Sequence, residues 1–326
     1  MTGRNVERDD FLAVLTKRLA AWDGSDAHAI RSLLRTADVL DLAQETAGLD
    51  DAVDWLVATV RTTAYFSPAA AFALGGRFAA QRGLAAAEAA DRDVADLTDL
   101  TDLTSAVTNP TAHRPWTATV PTLLAPAAVV FLDRGTRSAV LARWDALVAE
   151  DAEGTRRTGL RAAALRTVRL DDTLLTALPD AVARRTTRDW DLFTSAVGLG
   201  LAEKALDTAE NYARERRQFG SPIGTFAGLR AMLAEMRIRV CAVRVMLDAA
   251  AAGDLDTEEL LAQAGRAAVD ICLDAIQVHG GYGYIDEYPV AGLLRDAVSL
   301  RARGGGRRSL LAQVAARGFG HLGGDA

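Results

Sequence analysis

Two stretches of this 326-residue chain gather side chains that can do chemistry. The first is Tyr212-Ala213-Arg214-Glu215-Arg216-Arg217-Gln218-Phe219-Gly220-Ser221-Pro222-Ile223. A charged helix end meets Phe-Gly and then Pro. Taken alone, that is an ordinary helix stop, because arginine suits the negative end of the helix dipole and Gly and Pro end the run. The second is Gln277-Val278-His279-Gly280-Gly281-Tyr282-Gly283-Tyr284, followed by Glu287-Tyr288-Pro289-Val290 and Arg295-Asp296-Ala297. Its diglycine lets backbone approach a partner closely, and exposed peptide N–H groups can hold a phosphate. Taken alone, it is also a glycine-rich turn between helices with aromatic plugs. His279 by itself reads as a packed helix-end residue and not as a ligand or base.

The elements that must position these stretches are mostly helical. From Trp190 onward, Leu229, Met232, Leu233, Met236, Val240, Val243 and Leu247 recur at steps of three and four, and so do Leu260, Leu261, Ala264, Ala268, Ile271, Ala275 and Val278. Gly253 and Asp254 separate the two runs. A long helix from Leu192 to about Arg217 precedes them, and another after Pro289 runs towards Arg303. Four long helices on short connections imply an antiparallel bundle. Upstream, Leu12, Leu15 and Leu19 mark one helix, and Asp50, Asp51 and Asp54 enrich the first turn of another. Ser67 is an N-cap candidate, with Pro68 at the first helical position. The echo DLTDLTDLT at 96–104 is too short for a repeat fold and reads as a capped helix or polar connection. Near Val107 the character changes. Four prolines break helix, and strand-like runs follow at 117–119, 127–132, 138–141 and 164–170, with a hairpin turn at Asp133-Arg134-Gly135. The reading is mainly α with a small β domain. It divides into a helical N-terminal domain (1–106), a small β domain (107–181) and a C-terminal helical bundle (182–326).

Composition narrows the function. A net charge of -6 gives no reason to invoke nucleic acid. Of 37 Lys and Arg, only Lys17 and Lys204 are lysine, which reads as codon bias of a GC-rich genome. Cys241 and Cys272 both fall in helical patterns, so neither a disulfide framework nor a zinc site organises the fold. No apolar stretch approaches the roughly 18 residues of a membrane span, and residues 1–10 lack a signal-peptide core. A cytoplasmic protein without a metal is expected.

In this order and at this separation, RRQFGSPIGTF, QVHGGYGYIDEYPV and LLRDA resemble the acyl-CoA dehydrogenase family. The resemblance is strong over 190–303 and thinner upstream. It implies three parts: a helical N-terminal domain, a reduced β domain and a C-terminal four-helix bundle that forms dimers of dimers. It also implies FAD shared at a subunit interface. One subunit supplies the flavin-ring surroundings, the acyl-CoA pocket and a catalytic glutamate. Its neighbour contacts the pyrophosphate and adenosine end through positions that match Arg216, Gln218, Phe219, Gln277, Gly280 and Gly281. Arginine offers a pyrophosphate a planar donor fork. Ala227 departs from the glutamine often found after Thr-Phe.

The other half of the implied site is broken. Counting from Arg295-Asp296-Ala297, Gly304 takes the place of the usual glutamate, and glycine cannot act as a base. The family's alternative base position, near the start of the first bundle helix, falls on Trp190, flanked by Asp189 and Asp191. A flavin-contacting Thr-Glu-Pro and Gly-Ser-Asp type segment is missing, the nearest phrase being Thr108-Asn109-Pro110. The resemblance favours a degenerate subunit like those of actinobacterial α2β2 acyl-CoA dehydrogenases, inactive without its catalytic partner. The implied reaction is α,β-desaturation of an acyl-CoA, with sterol side chains as the favoured class and an electron-transfer flavoprotein as acceptor. Two other readings stay open. One is a homo-oligomer with altered chemistry on a different acyl or polyketide substrate, with Asp189 or Asp191 as base. The other is a non-catalytic scaffold without flavin.

Overall fold

The computed structural model describes residues 3–22, 26–88, 102–108, 116–150, 157–170, 175–304 and 306–319. Five helices come first: α1 (Gly3–Ala20), α2 (Ala27–Thr36), α3 (Leu42–Glu45), α4 (Ala52–Phe66) and α5 (Pro68–Glu88). Ser67 caps α5 as its sequence suggests, its Oγ accepting from the Ala70 N–H at 3.2 Å.

Seven short strands follow: β1 (Leu103–Val107), β2 (Trp116–Pro121), β3 (Ala128–Asp133), β4 (Ser138–Arg143), β5 (Val148–Ala149), β6 (Leu165–Leu170) and β7 (Thr176–Ala177). They make two sheets, ordered β1-β3-β4-β7 and β2-β6-β5. Only β1 and β3 run parallel; the β3–β4 pair is the expected hairpin. Its turn is fixed by Asp133, whose Oδ1 accepts from the Gly135 N–H at 2.8 Å. The continuous apolar run of β3 has a reason: both its faces are covered. Ala128, Val130 and Leu132 join the helical core, while Val129 and Phe131 pack with Ala118, Val120 and Val168 of the second sheet. The DLTDLTDLT echo ends in β1 at Leu103-Thr104, so its last residues are strand and not helix. Residues 96–101, Asn109, Pro110 and Gly305 lie outside the described residues.

The C-terminal part contains α6 (Asp180–Glu215), a two-residue hairpin β8 (Arg217–Gln218) and β9 (Ser221–Pro222), then α7 (Ala227–Ala252), α8 (Thr257–His279), α9 (Val290–Arg301) and α10 (Gly306–Phe319). Two expectations need correction. The first bundle helix starts at Asp180 and not at Leu192, making it 36 residues long. Its extra turns carry arginines and threonines that blur the apolar period. A fifth helix, α10, follows the glycine run; it buries Leu310 and ties Arg317 to Glu258 at 3.0 Å. Among the described residues no helix is long and apolar enough to cross a membrane.

Helix α6 is the spine. Residues 189–202 are all buried, with α4 and α5 on one side and α7 and α8 on the other. A helix apolar on every face belongs inside a protein. The approach of α4 is close: a Cβ at Gly200 would stand 2.3 Å from the Arg61 carbonyl oxygen. Gly200→Ala should therefore lower unfolding stability by about 1–3 kcal/mol, the usual cost of overpacking. Gly228→Ala, on α7 with no atom within 4 Å of its added Cβ, should be neutral or stabilising by up to about 1 kcal/mol. Denaturant titration of the two variants distinguishes them.

Candidate functional site

The first motif closes α6. Arg216 is its C-cap, and the Arg216 N–H donates to the Tyr212 carbonyl at 2.8 Å. Beyond it, Gln218 and Ser221 pair across the β8–β9 hairpin. The two turn residues, Phe219 and Gly220, both have positive φ, 50° and 82°. That is the backbone of a tight hairpin turn, and it is costly for a side chain as bulky as phenylalanine. The strained Phe219 is 94% exposed, and its ring centroid lies 6.3 Å from that of Phe226. Gln218 is also exposed.

The second motif closes α8. Gln277 is exposed on its last turn, and Gly280 ends the helix at φ 59°, ψ -135°, a conformation nearly confined to glycine. Gly281 differs in backbone, having no positive φ, and among the described residues beyond its chain neighbours nothing lies within 4 Å of where its Cβ would stand. No described contact therefore requires glycine at 281. The two motifs meet through rings. The Arg216 guanidinium lies 5.1 Å from the Tyr282 ring centroid, and Tyr212 of α6 stacks on His279 at 4.1 Å. The Arg216 guanidinium has no hydrogen-bonding or ion-pair partner among the described residues.

His279 is buried, and its Nδ1 lies 2.7 Å from the Ala275 carbonyl, so Nδ1 carries the hydrogen and donates it. Its Nε2 is buried without a partner. Burial pushes the imidazole pKa down, against the pull of the Ala275 carbonyl. The unfolded chain thus takes up this proton at a higher pH than the folded chain does. Stability attached to neutral His279 is complete above the ordinary histidine value of about 6.5 and is lost as pH falls from there through the folded value. Wild-type stability measured between about pH 7.5 and 5 should carry this loss; His279→Phe should show a shallower slope.

Trp190 and Gly304 lie 114 positions apart in sequence yet adjoin. A Cβ built on Gly304 would stand 3.6 Å from Trp190 Cζ3 and 2.9 Å from Leu261 Cδ2. The two alternative base positions implied by the resemblance are thus one place in space, filled by an indole and a leucine. Trp190 is buried, edge-on to Phe72 at 6.3 Å, with the Arg134 guanidinium 5.6 Å from its ring centroid.

The flanking carboxylates are already committed. Asp189 Oδ2 accepts from Arg82 and Arg185, each at 2.8 Å. Asp191 takes both arms of the Arg134 guanidinium and the Thr257 hydroxyl at 3.4 Å. Both aspartates are fully buried. Burial pushes both carboxyls up from the ordinary aspartate value, while Arg185 pulls Asp189 down and Arg134 pulls Asp191 down. Both are shut away from solvent and held in ion pairs. The small β part also rests directly on α9: a Cβ on Gly159 would stand 2.1 Å from the Arg295 carbonyl oxygen, and the Leu160 N–H donates to Asp296 Oδ1 at 2.6 Å. Asp296 of the Arg-Asp-Ala phrase is therefore an internal tie.

Two residues escaped the sequence reading. Arg134 was visible only as the middle of a turn, although an arginine there is the one side chain able to reach inward from the hairpin tip to Asp191. Tyr282 passed as an aromatic plug, although its ring holds Arg216.

The chain is similar to known proteins. Residues 192–319 match the family model described as acyl-CoA dehydrogenase, C-terminal domain. A 3-sulfinopropanoyl-CoA desulfinase of Paraburkholderia xenovorans is 40% identical over 127 residues, covering 37% of this chain and 33% of the relative. An acyl-CoA dehydrogenase of Bacillus subtilis is 45% identical over 112 residues, 32% of this chain and 29% of its own. The matched segments thus span about a third of each curated relative's length. Over the whole chain the likeness is one of fold. A steroid ACAD variant, Tcur3481-Tcur3483, superposes with a TM-score of 0.75 at 20% identity, covering 98% of this chain and 99% of that one. PigA, solved with FAD and proline, gives 0.71 at 17% identity and 99% coverage of both. The chain has the acyl-CoA dehydrogenase fold, and its residues 192–319 are similar to that family's C-terminal domain. The family match is confined to residues 192–319, and over the rest of the chain the likeness is one of fold alone.

The Arg134–Asp191 pair is open to a stability test. Arg134→Met leaves a buried carboxylate unpaired and should cost about 3–5 kcal/mol. Arg134→Met combined with Asp191→Leu removes both charges and should recover most of that loss. Asp191→Leu alone completes the cycle: a loss in the double variant equal to the sum of the two single losses would show that the charges are not coupled.

Proposed function

We propose that this chain is the non-catalytic subunit of a heteromeric FAD-dependent acyl-CoA dehydrogenase. It holds the pyrophosphate and adenosine end of an FAD whose ring and catalytic base belong to a partner subunit. The observation that carries this reading is the contrast between two halves of one molecule. At 190 and 304, where a base would stand, Trp190 and Leu261 fill the space and the nearest carboxylates are ion-paired. At the far end of α6, Arg216 is uncommitted, Gln218, Phe219 and Gln277 are exposed, and Gly281 is a glycine that no described contact demands.

The residues present fit the outer end of FAD and not its ring. Arg216 would pair its donor fork with pyrophosphate oxygens, Gln218 and Gln277 would donate amide N–H groups, Phe219 would cover an apolar surface, and Gly280-Gly281 would let backbone N–H groups approach. When bound, FAD supplies the hydride acceptor for α,β-desaturation of an acyl-CoA thioester. The partner contributes the glutamate that removes the α-proton, and an electron-transfer flavoprotein reoxidises the pair. One intact and one filled half-site give one FAD per pair of unlike chains, and the resemblance implies that two such pairs associate as α2β2. A steroid ACAD among the structural neighbours supports a sterol side-chain substrate. The ion-paired state of Asp189 and Asp191 argues against a homo-oligomer that uses either as base.

Titration of FAD into the apo-complex tests the reading. A charge-assisted contact to phosphate is worth about 1.5–3 kcal/mol, so Arg216→Ala should weaken FAD binding by about 10- to 150-fold. Arg216→Lys should recover only part, because an ammonium lacks the planar fork. An unchanged FAD dissociation constant, with a modest loss of thermal stability, would reduce Arg216 to a helix cap.

A further inference from the structure

Arg216 is an arginine without an acid. Its guanidinium is held instead over the ring of Tyr282, 5.1 Å from the centroid. That ring does not stand alone. Tyr282 meets Tyr288 at 5.8 Å and 62°, and Tyr288 meets both Tyr212 at 5.7 Å and 89° and His279 at 5.5 Å and 68°. Tyr212 completes the set by stacking on His279. These are edge-to-face and stacked contacts within the attractive range of aromatic pairs. Tyr212 lies four residues before Arg216, one turn below it on the same face of α6. The rings therefore bracket the ends of α6 and α8 together, and the outermost ring of the bracket carries the cation.

A ring face and a carboxylate fix an arginine in different ways. A carboxylate takes its N–H donors and cancels its charge. A ring attracts the cation through its quadrupole, leaves the charge in place and accepts no conventional hydrogen bond in the guanidinium plane. Arg216 is thus restrained in one arrangement with its whole donor fork still available. Tyr282 is only half-covered, at 43% exposure, so its ring is not there to fill the core. Tyr284, two residues on, is 77% exposed and makes no ring contact, which singles out Tyr282 within the turn.

We propose that Tyr282 is a positioning residue: it preorganises Arg216 for capture of a pyrophosphate by holding the guanidinium over its ring. This rests on the reading of Arg216 as an FAD contact. The consequence is specific. The ring face should matter and the phenol hydroxyl should not, and the effect should vanish once Arg216 is gone.

The test is a set of FAD dissociation constants, measured by flavin fluorescence on the apo-complex co-purified with its partner subunit. Wild type, Tyr282→Phe, Tyr282→Leu, Arg216→Ala and the double variant Arg216→Ala with Tyr282→Leu are compared, and the melting temperature of each complex is recorded. A cation–π contact at a partly exposed site corresponds to about a two- to five-fold change in binding. Tyr282→Leu should weaken FAD binding by that factor and Tyr282→Phe should restore it. The double variant should be no weaker than Arg216→Ala alone. A merely structural Tyr282 would instead add its loss to that of Arg216→Ala and lower the melting temperature in parallel; that outcome overturns the proposal. If Arg216→Ala weakens binding while Tyr282→Leu does not, the positioning role falls and the Arg216 contact stands. If Arg216→Ala changes nothing, both fall.

Discussion

The constraint on which the rest of the structure depends is the burial of α6. Fourteen consecutive residues of this helix, 189–202, are shut away from solvent, and two of them are aspartates. A buried carboxylate must be met by a cation or neutralised. Each aspartate is met from a different part of the chain. Asp189 is paired by Arg82 of α5, among the N-terminal helices, and Asp191 by Arg134 from the tip of the β3–β4 hairpin. The charges on the spine therefore fix where the helical layer and the small sheets dock. Such pairs add little net stability but penalise every arrangement in which they are broken. Trp190, between them in sequence, has the Arg134 guanidinium 5.6 Å from its ring centroid.

That clamp also decides the chemistry. On the proposed reading, the stretch of α6 around Trp190 lies where a base would work, and the helix's C-terminal end lies where FAD's outer end would rest. At the first the chain has spent its carboxylates on internal ion pairs and filled the space near Gly304 with Trp190 and Leu261. At the second it keeps an unpaired arginine, two exposed amides and an exposed phenylalanine in a costly backbone conformation. Strain and exposure at Phe219 bring this chain nothing by themselves. On the proposed reading, the surface that uses them belongs to another subunit.

Local chemistry was legible in the sequence. Ser67-Pro68 announced a helix start, Asp133-Arg134-Gly135 a hairpin, and Gly253 a helix end, because each depends on residues a few positions apart. The two motifs were legible for the same reason. What could not be read were meetings between distant segments. Nothing in the sequence places Trp190 beside Gly304, or sends Arg134 into the core when its neighbours Gly135 and Thr136 are exposed. The early start of α6 was hidden by polar residues that the tertiary structure buries, Thr186 and Asp189 among them. The helix α10 was hidden by the glycine run before it and by an arginine-rich first turn. The cation–ring contact between Arg216 and Tyr282 joins residues 66 positions apart, and no spacing rule foretells it.

The central claim is that this chain contributes one half of a flavin site and cannot contribute the other. The direct measurement is the number of FAD molecules per protomer in the purified assembly, from flavin absorbance after denaturation and quantitative protein analysis. One FAD per pair of unlike chains, with little or none retained by this chain alone, is the expected result. Two per pair, or near-stoichiometric FAD in the lone chain, would contradict it.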